Sequence, residues 1–372
     1  MPIRLQALLA SVGALTLALA SVPPATLLGQ VQAGATKRYN PPRTPDGHPD
    51  FQGVYNVETI TPVERPAGVT GLVLPREEAA ALEAYEKERV ARSAEPSRPD
   101  RAAPPVGGET SKPKSYQELL FRAGGGVVGG YNDFWLAMGQ SVVVVNGERR
   151  SSIIVEPEDG KVPPMNAEGK ARNAVILAGR VSPDASENAA GGPPSAFDGP
   201  ELRPLAERCI LGFGSTAGPP TLPNYFYNNL KQIVQTKDTV MILNEMIHDV
   251  RIIRLTGTHG PSTVRSWLGD SIGRWDGDSL IVETTHFTDK TQFRGASQQL
   301  KVTERFTRVD PQTILYRFTV EDPATWDKPW SGEYPWTASD ELLYEYACHE
   351  GNHSFGGILR GARLADSPTP KR

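Results

Sequence analysis

From Lys231 onward apolar and polar residues alternate with a period of two, the mark of strands that bury one face. The segments are Gln232–Thr236, Val240–Asn244, Val250–Leu255, Ser279–Thr285, Lys301–Val309, Thr313–Glu321, Ser331–Trp336 and Leu342–Cys348. Turn signals separate them at Lys237-Asp238, Gly257, Asp276-Gly277, Asp310-Pro311 and Asp322-Pro323. Regular spacing with short turns predicts a mainly β fold, an antiparallel meander that closes into a barrel or curves strongly. The clearest hairpin turns at Asp310 to Thr313. Pairing Val309 with Ile314 puts Arg305 opposite Phe318 and Glu304 opposite Thr319. One face of the second strand is then Ile314, Tyr316, Phe318 and Val320, which belongs in a core. The other is Leu315, Arg317, Thr319 and Glu321, which meets water or a cavity.

Before Lys231 the pattern is weaker. Phe51 to Tyr55 reads as a short strand after a turn at Pro45-Asp46-Gly47. Pro75 opens a helix that runs to about Arg92, with acids in its first turn. Asn146-Gly147 between Ser141–Asn146 and Ser151–Glu156 signals a hairpin. Ser93–Gly130 and Lys161–Gly199 are rich in Pro, Gly and Ala or charge, and read as long irregular segments. Short helices are expected at Pro204–Cys209 and from Asn352 to Leu364. The expected organisation is a signal peptide (1–20), a Pro-rich leader (21–50), an N-terminal region of strands and one helix (51–230), and a barrel core with a C-terminal helix (231–372).

Composition adds a compartment. Arg4, the uncharged apolar run Leu5–Ala20 and the A-x-A site Ala18-Leu19-Ala20 form a secretory signal, placing the mature chain in a periplasm or outside the cell. The run is short for a membrane span, so no stable insertion is expected after cleavage. Cys209 and Cys348, the two cysteines of the chain, allow one bridge in an oxidising compartment, the alternative being two buried thiols. The net charge of −4, with signs interspersed, leaves no electrostatic footprint for nucleic acid. The Gly124–Gly130 run lacks the strand and helix of a dinucleotide loop, and no G-x-S-x-G elbow exists. No cofactor is expected.

The ionisable groups are concentrated in the predicted strands. His248 suits general acid–base work with Glu304, Glu245 or His349 as partner. Asp249 faces away from His248 if both lie on a strand. Catalytic candidates are therefore His248, Asp249, Glu304 and His349. Candidates for holding a small molecule are Arg251, His286, Arg305, Tyr316, Trp135 and Trp326, because aromatics with scattered polar groups suit a sugar-like or aromatic ligand. The bland alternatives are an ion-pair lattice through Glu304, Arg305, Arg317, Glu321 and Asp322, and an ordinary aromatic core. His349-Glu350-Gly351-Asn352-His353 matches H-E-x-x-H, but Gly351-Asn352 is a poor helix interior, so zinc on His349 and His353 is the lesser reading.

The motifs Asn244-Glu245-Met246-Ile247-His248-Asp249, Gly273-Arg274-Trp275-Asp276-Gly277-Asp278 and Tyr344-Glu345-Tyr346-Ala347-Cys348-His349-Glu350-Gly351-Asn352 carry a resemblance over most of the mature chain. The sequence resembles a family of exported bacterial proteins without an assigned activity. The opening Gly-x-aromatic strand and the meander are also similar to lipocalin-like barrels, a likeness of fold that fixes no function. The expectation is a cofactor-independent lyase, hydratase or hydrolase acting on a small molecule in a barrel pocket. The alternatives are a non-catalytic binding protein and a zinc hydrolase.

Overall fold

A computed structural model of the chain describes residues 39–93, 137–178, 197–212, 218–223, 227–291 and 293–366. The predicted signal, most of the leader, the Ser93–Gly130 excursion beyond Ser93, and Trp135 lie outside them. The early strands are β1 (Gly53–Asn56), β2 (Val73–Leu74), β3 (Val144–Val145), β4 (Glu148–Arg150) and β5 (Ile154–Glu156). Helices α1 (Arg76–Ser93) and α2 (Ala167–Ala178) lie among them. The long patterned region supplies β6 (Leu230–Gln235), β7 (Thr239–Asn244), β8 (Val250–Arg254), β9 (Asp270–Asp276), β10 (Ser279–Thr285), β11 (Lys301–Asp310), β12 (Thr313–Glu321) and β13 (Trp330–Ala338). Two helices end the described chain, α3 (Cys348–Gly351) and α4 (His353–Asp366).

Strands β6 to β13 pair in sequence order, and β1 closes the ring between β13 and β6. Tyr55 faces Ala338 on one side and Lys231 on the other. The result is a closed barrel of nine strands, consistent with a lipocalin-like barrel. β5 adds to the same edge of β13, through Gly332 and Ile154. The hairpin predicted at Asn146-Gly147 forms between β3 and β4, and both turn residues hold the positive φ that its tight turn demands. β2 completes that small separate sheet.

Closure forces one departure from a pure antiparallel meander. Around a ring of nine, strand direction cannot alternate throughout. The alternation breaks at β8 and β9, which run parallel and share only Ile253↔Ser271 and Arg254↔Ile272. Residues 255–269 leave β8 and return to start β9. Gly273 makes the seam possible: a Cβ there would meet Ile253 Cγ2 at 2.9 Å and Leu255 Cδ2 at 2.8 Å.

The interior is rich in aromatic rings. Phe306, Tyr316, Phe318, Trp330, Tyr334 and Trp336 are buried and in mutual contact. Ile314, Tyr316, Phe318 and Val320 face inward as predicted. The register of β11 does not follow the predicted pairing. An irregularity between Arg308 and Asp310 inserts an extra residue, so Arg308, not Val309, lies opposite Ile314. Glu304 therefore sits opposite Phe318 rather than Thr319 and turns into the barrel. Three local predictions also change. Lys161–Gly199 contains α2, 204–209 forms turns, and 342–347 is irregular, with Cys348 opening a helical turn. The expected bridge is present between Cys209 and Cys348, with Cα atoms 5.8 Å apart. No helix among the described residues is long and apolar enough to cross a membrane.

Candidate functional site

The seam leaves a gap in the wall. β8 begins at Val250, but β9 joins it only at Ile253. A cleft of about 580 Å³ opens there, lined by Cys209, the 247–252 stretch, Arg254 and the 266–271 stretch. Trp267, half-buried, supplies its aromatic surface. The turn between β7 and β8 brings His248 and Asp249 to this cleft. Asn244 closes the turn by donating its backbone N–H (2.8 Å) and Nδ2 (3.2 Å) to the Asp249 carbonyl. Ile247 and His248 both hold positive φ, 60° and 48°. A β-branched residue there is strained, and such strain persists only where the surroundings enforce it.

The titratable groups around the turn are perturbed in opposite directions. Burial pushes the Asp249 carboxyl up to about 6, although the Gly212 N–H (3.2 Å) and the charges of His248 and Lys231 pull it down. Lys231 lies on the inward face of β6 with Ile233, fully buried, and its Nζ makes no hydrogen bond. Burial brings its ammonium down to about 8, against the attraction of Glu245 and Asp249. Environments that draw an acid and an amine toward neutrality are a recognised mark of proton-transfer sites.

Behind the cleft lies a buried charge pair. Arg251 Nη1 and Nη2 donate to Glu304 Oε1 and Oε2 at 2.9 and 2.5 Å, with the side chains 2% and 0% exposed. Tyr316 donates its hydroxyl to Glu304 Oε1 (2.7 Å) and accepts the Thr221 N–H (2.9 Å). Tyr334 donates to the Thr221 carbonyl (2.7 Å). Burial, reinforced by the Glu304 charge, raises the Tyr316 acidity range well above that of a free phenol, so it stays a donor. The network fixes the Arg251 guanidinium in the barrel interior, while Arg251 is also one of the residues that line the cleft.

The predicted site residues separate accordingly. Arg251, Glu304 and Tyr316 share the interior, and His248 and Asp249 share the cleft. His248 is exposed, so it is not the barrel base expected from a strand assignment. Because residues 246–248 form a turn, strand alternation does not separate it from Asp249. His349 is also exposed, in the α3 turn. Asn352 breaks the chain between α3 and α4, so His349 and His353 do not share one helical face. Arg305 points outward and pairs with Asp276 at 2.7 Å. Arg317 and Lys301 make further outer pairs, so the ion-pair lattice exists without Glu304. Trp326 is core, edge-on to Trp330. His286 is on the outer side of β10, beside His259 and Asp270.

Sequence reasoning passed over Lys231, Trp267, His259 and Asp270. Lys231 alternates with Ile233 and Gln235, a period-two pattern that places a lysine on an apolar face. The others depend on the crossover, which no local pattern announces. No family model matches the chain, and no curated protein and no solved structure is detectably similar to it.

Proposed function

We propose that this is an exported enzyme that abstracts and returns protons on a small hydroxylated, sugar-like molecule held in the seam cleft. The observation that carries the reading is the Asp249 carboxyl, lifted to about 6 in a ligand-sized cleft beside exposed His248. A carboxylate in that range is a competent base near neutral pH, and a neighbouring imidazole offers the return proton. The buried Arg251–Glu304 pair holds the β8 end of the cleft in place, and Trp267 offers an apolar platform for a sugar ring. The chemistry is elimination, hydration or hydrolysis, with these residues and no cofactor. The disulfide and the absence of a spanning helix among the described residues are compatible with export.

The test is incubation of the mature protein with panels of saccharides, uronic acids and aryl glycosides, followed by NMR. One class should be consumed, with kcat/KM rising through about pH 6 as Asp249 loses its proton. Asp249→Asn should lower kcat by about 10²–10⁴-fold and remove that limb. Turnover that is indifferent to Asp249→Asn overturns the assignment. A ligand bound in the cleft without turnover returns the molecule to the non-catalytic binding class.

A further inference from the structure

The loop between β8 and β9 carries a second cluster, on the outer side of the wall. His259 comes from the crossover, Asp270 opens β9, and His286 follows β10, where Thr285 pairs with Asp270. Each offers one ligand atom, and all three atoms lie within 4.8 Å of one another. His259 Nδ1 is 3.1 Å and His286 Nδ1 4.0 Å from Asp270 Oδ2. Zinc ligands about 2.0–2.1 Å from the ion at tetrahedral angles stand roughly 3.3 Å apart, so one pair already fits, a second must close by under about 1 Å, and the two imidazoles, within 4.8 Å of each other, must also draw in.

Three further features favour an ion over a chance cluster. The His286 Nδ1 is buried and makes no hydrogen bond. His286 holds a φ of 58°, an uncommon backbone conformation. Glu283 Oε1 lies 3.4 Å from His259 Nε2, and Lys301 holds the same carboxylate through Oε2 at 2.8 Å. A carboxylate on one imidazole nitrogen sets the proton there and leaves the other nitrogen free to ligate, the usual outer arrangement at metal-binding histidines. Two imidazoles and one carboxylate suit Zn²⁺ better than the oxygen-seeking Mg²⁺ or Ca²⁺. Two donors compete for Asp270: Arg254 Nη2 lies 2.9 and 3.0 Å from its two oxygens, and the Gly260 N–H donates to Oδ2 at 2.9 Å.

We propose that His259, Asp270 and His286 bind one divalent transition-metal ion, Zn²⁺ by donor set, which fastens the crossover to the barrel wall. Asp270 also lines the seam cleft, but none of the three ligands is used in the proton chemistry assigned to Asp249, and the metal proposal does not depend on it. The protein, stripped with a chelator and dialysed, is titrated with Zn²⁺ by calorimetry and with Co²⁺ by visible absorption. One equivalent should bind, with a Co²⁺ spectrum of low coordination number and a raised melting temperature. His259→Ala should weaken binding at least tenfold. So should His286→Asn, chosen because asparagine tolerates positive φ. Arg254→Gln should tighten it by removing the competing cation from Asp270. Circular dichroism confirms that each variant folds. Absence of stoichiometric binding, or binding unchanged in the His259→Ala, His286→Asn double variant, overturns the site.

Discussion

The two sides of this barrel are built on different terms. From β10 to β13 the strands are seven to ten residues long, pair antiparallel throughout, and point Phe306, Tyr316, Phe318, Trp330, Tyr334 and Trp336 inward. From β6 to β8 they are five or six residues long, and the inward positions include Lys231, Asn244 and Arg251. That side ends in strained backbone at Ile247 and His248 and in a two-residue parallel seam. Cohesion is concentrated on one side and reactive groups on the other. The Arg251–Glu304 pair is the bridge, joining a β8 cation to a β11 carboxylate across the interior. Poorly paired edges and buried unsatisfied groups are tolerated where the opposite wall is rigid enough to hold them, as expected of functional sites.

If that division holds, the seam side depends most on covalent support. Cys209 lines the cleft and is tied to Cys348, 139 residues away. Closing a loop of that length is worth about 5 kcal/mol in the chain-entropy model. Replacing both cysteines by serine should lower the denaturation midpoint accordingly. Hydrogen exchange should rise first in β7 and β8 and last in β12 and β13. Uniform loosening would erase the contrast between the two sides.

The next largest effect is expected at the bridge. Glu304→Leu leaves a buried guanidinium without its partner and removes the acceptor of the Tyr316 hydroxyl. The cost should be about 3–5 kcal/mol by urea denaturation. The double variant Arg251→Met, Glu304→Leu should recover most of it, because apolar groups of similar volume replace the pair without stranding a charge. A double variant as unstable as the single one would mean the pair itself is a net source of stability.

Lys231 gives an effect of opposite sign. Its folded value of about 8 lies below the ordinary 10.5 of lysine. The unfolded chain therefore holds the extra proton between these values, and stability should rise as pH climbs from about 8 to 10.5. Below pH 8 the buried ammonium costs on the order of 3 kcal/mol relative to solvent. Lys231→Met should stabilise the fold at pH 7 and flatten the alkaline rise. Loss of turnover in that stabler variant would place Lys231 within the reactive machinery. A destabilised Met variant would instead mean that Lys231 is fully supported by Glu245 and Asp249.

Much of this architecture is legible in the chain because period-two patterning is local. The strands β6, β7, β8, β10, β11, β12 and β13 all coincide with alternating stretches, and the disulfide is anticipated by the cysteine count. β9 was missed because Gly273, required at the seam, interrupts its pattern within Asp270–Asp276. The parallel pairing follows from closure of the ring, a global condition that no window of sequence contains. Arg251, Glu304 and Tyr316 were legible as residues, but their union depends on the irregularity near Asp310. His248 and Asp249 were recognised on the wrong element, a strand in place of a strained turn. His259 and Asp270 meet only because residues 255–269 return to the barrel.

The smallest expected effect tests that register directly. Glu304 and Arg305 are neighbours in sequence, yet one is sealed inside and the other pairs with Asp276 in solvent. A slip of one residue in β11 would exchange their environments completely. Exposed ion pairs are screened and add little to stability. Arg305→Gln should therefore leave the melting temperature within error at both low and high salt, and leave turnover unchanged. Measured beside Glu304→Leu, it turns a one-residue difference into a large contrast in stability. Similar losses from both variants would mean that β11 does not hold this register and that the charge joining the two sides of the barrel has been assigned to the wrong position.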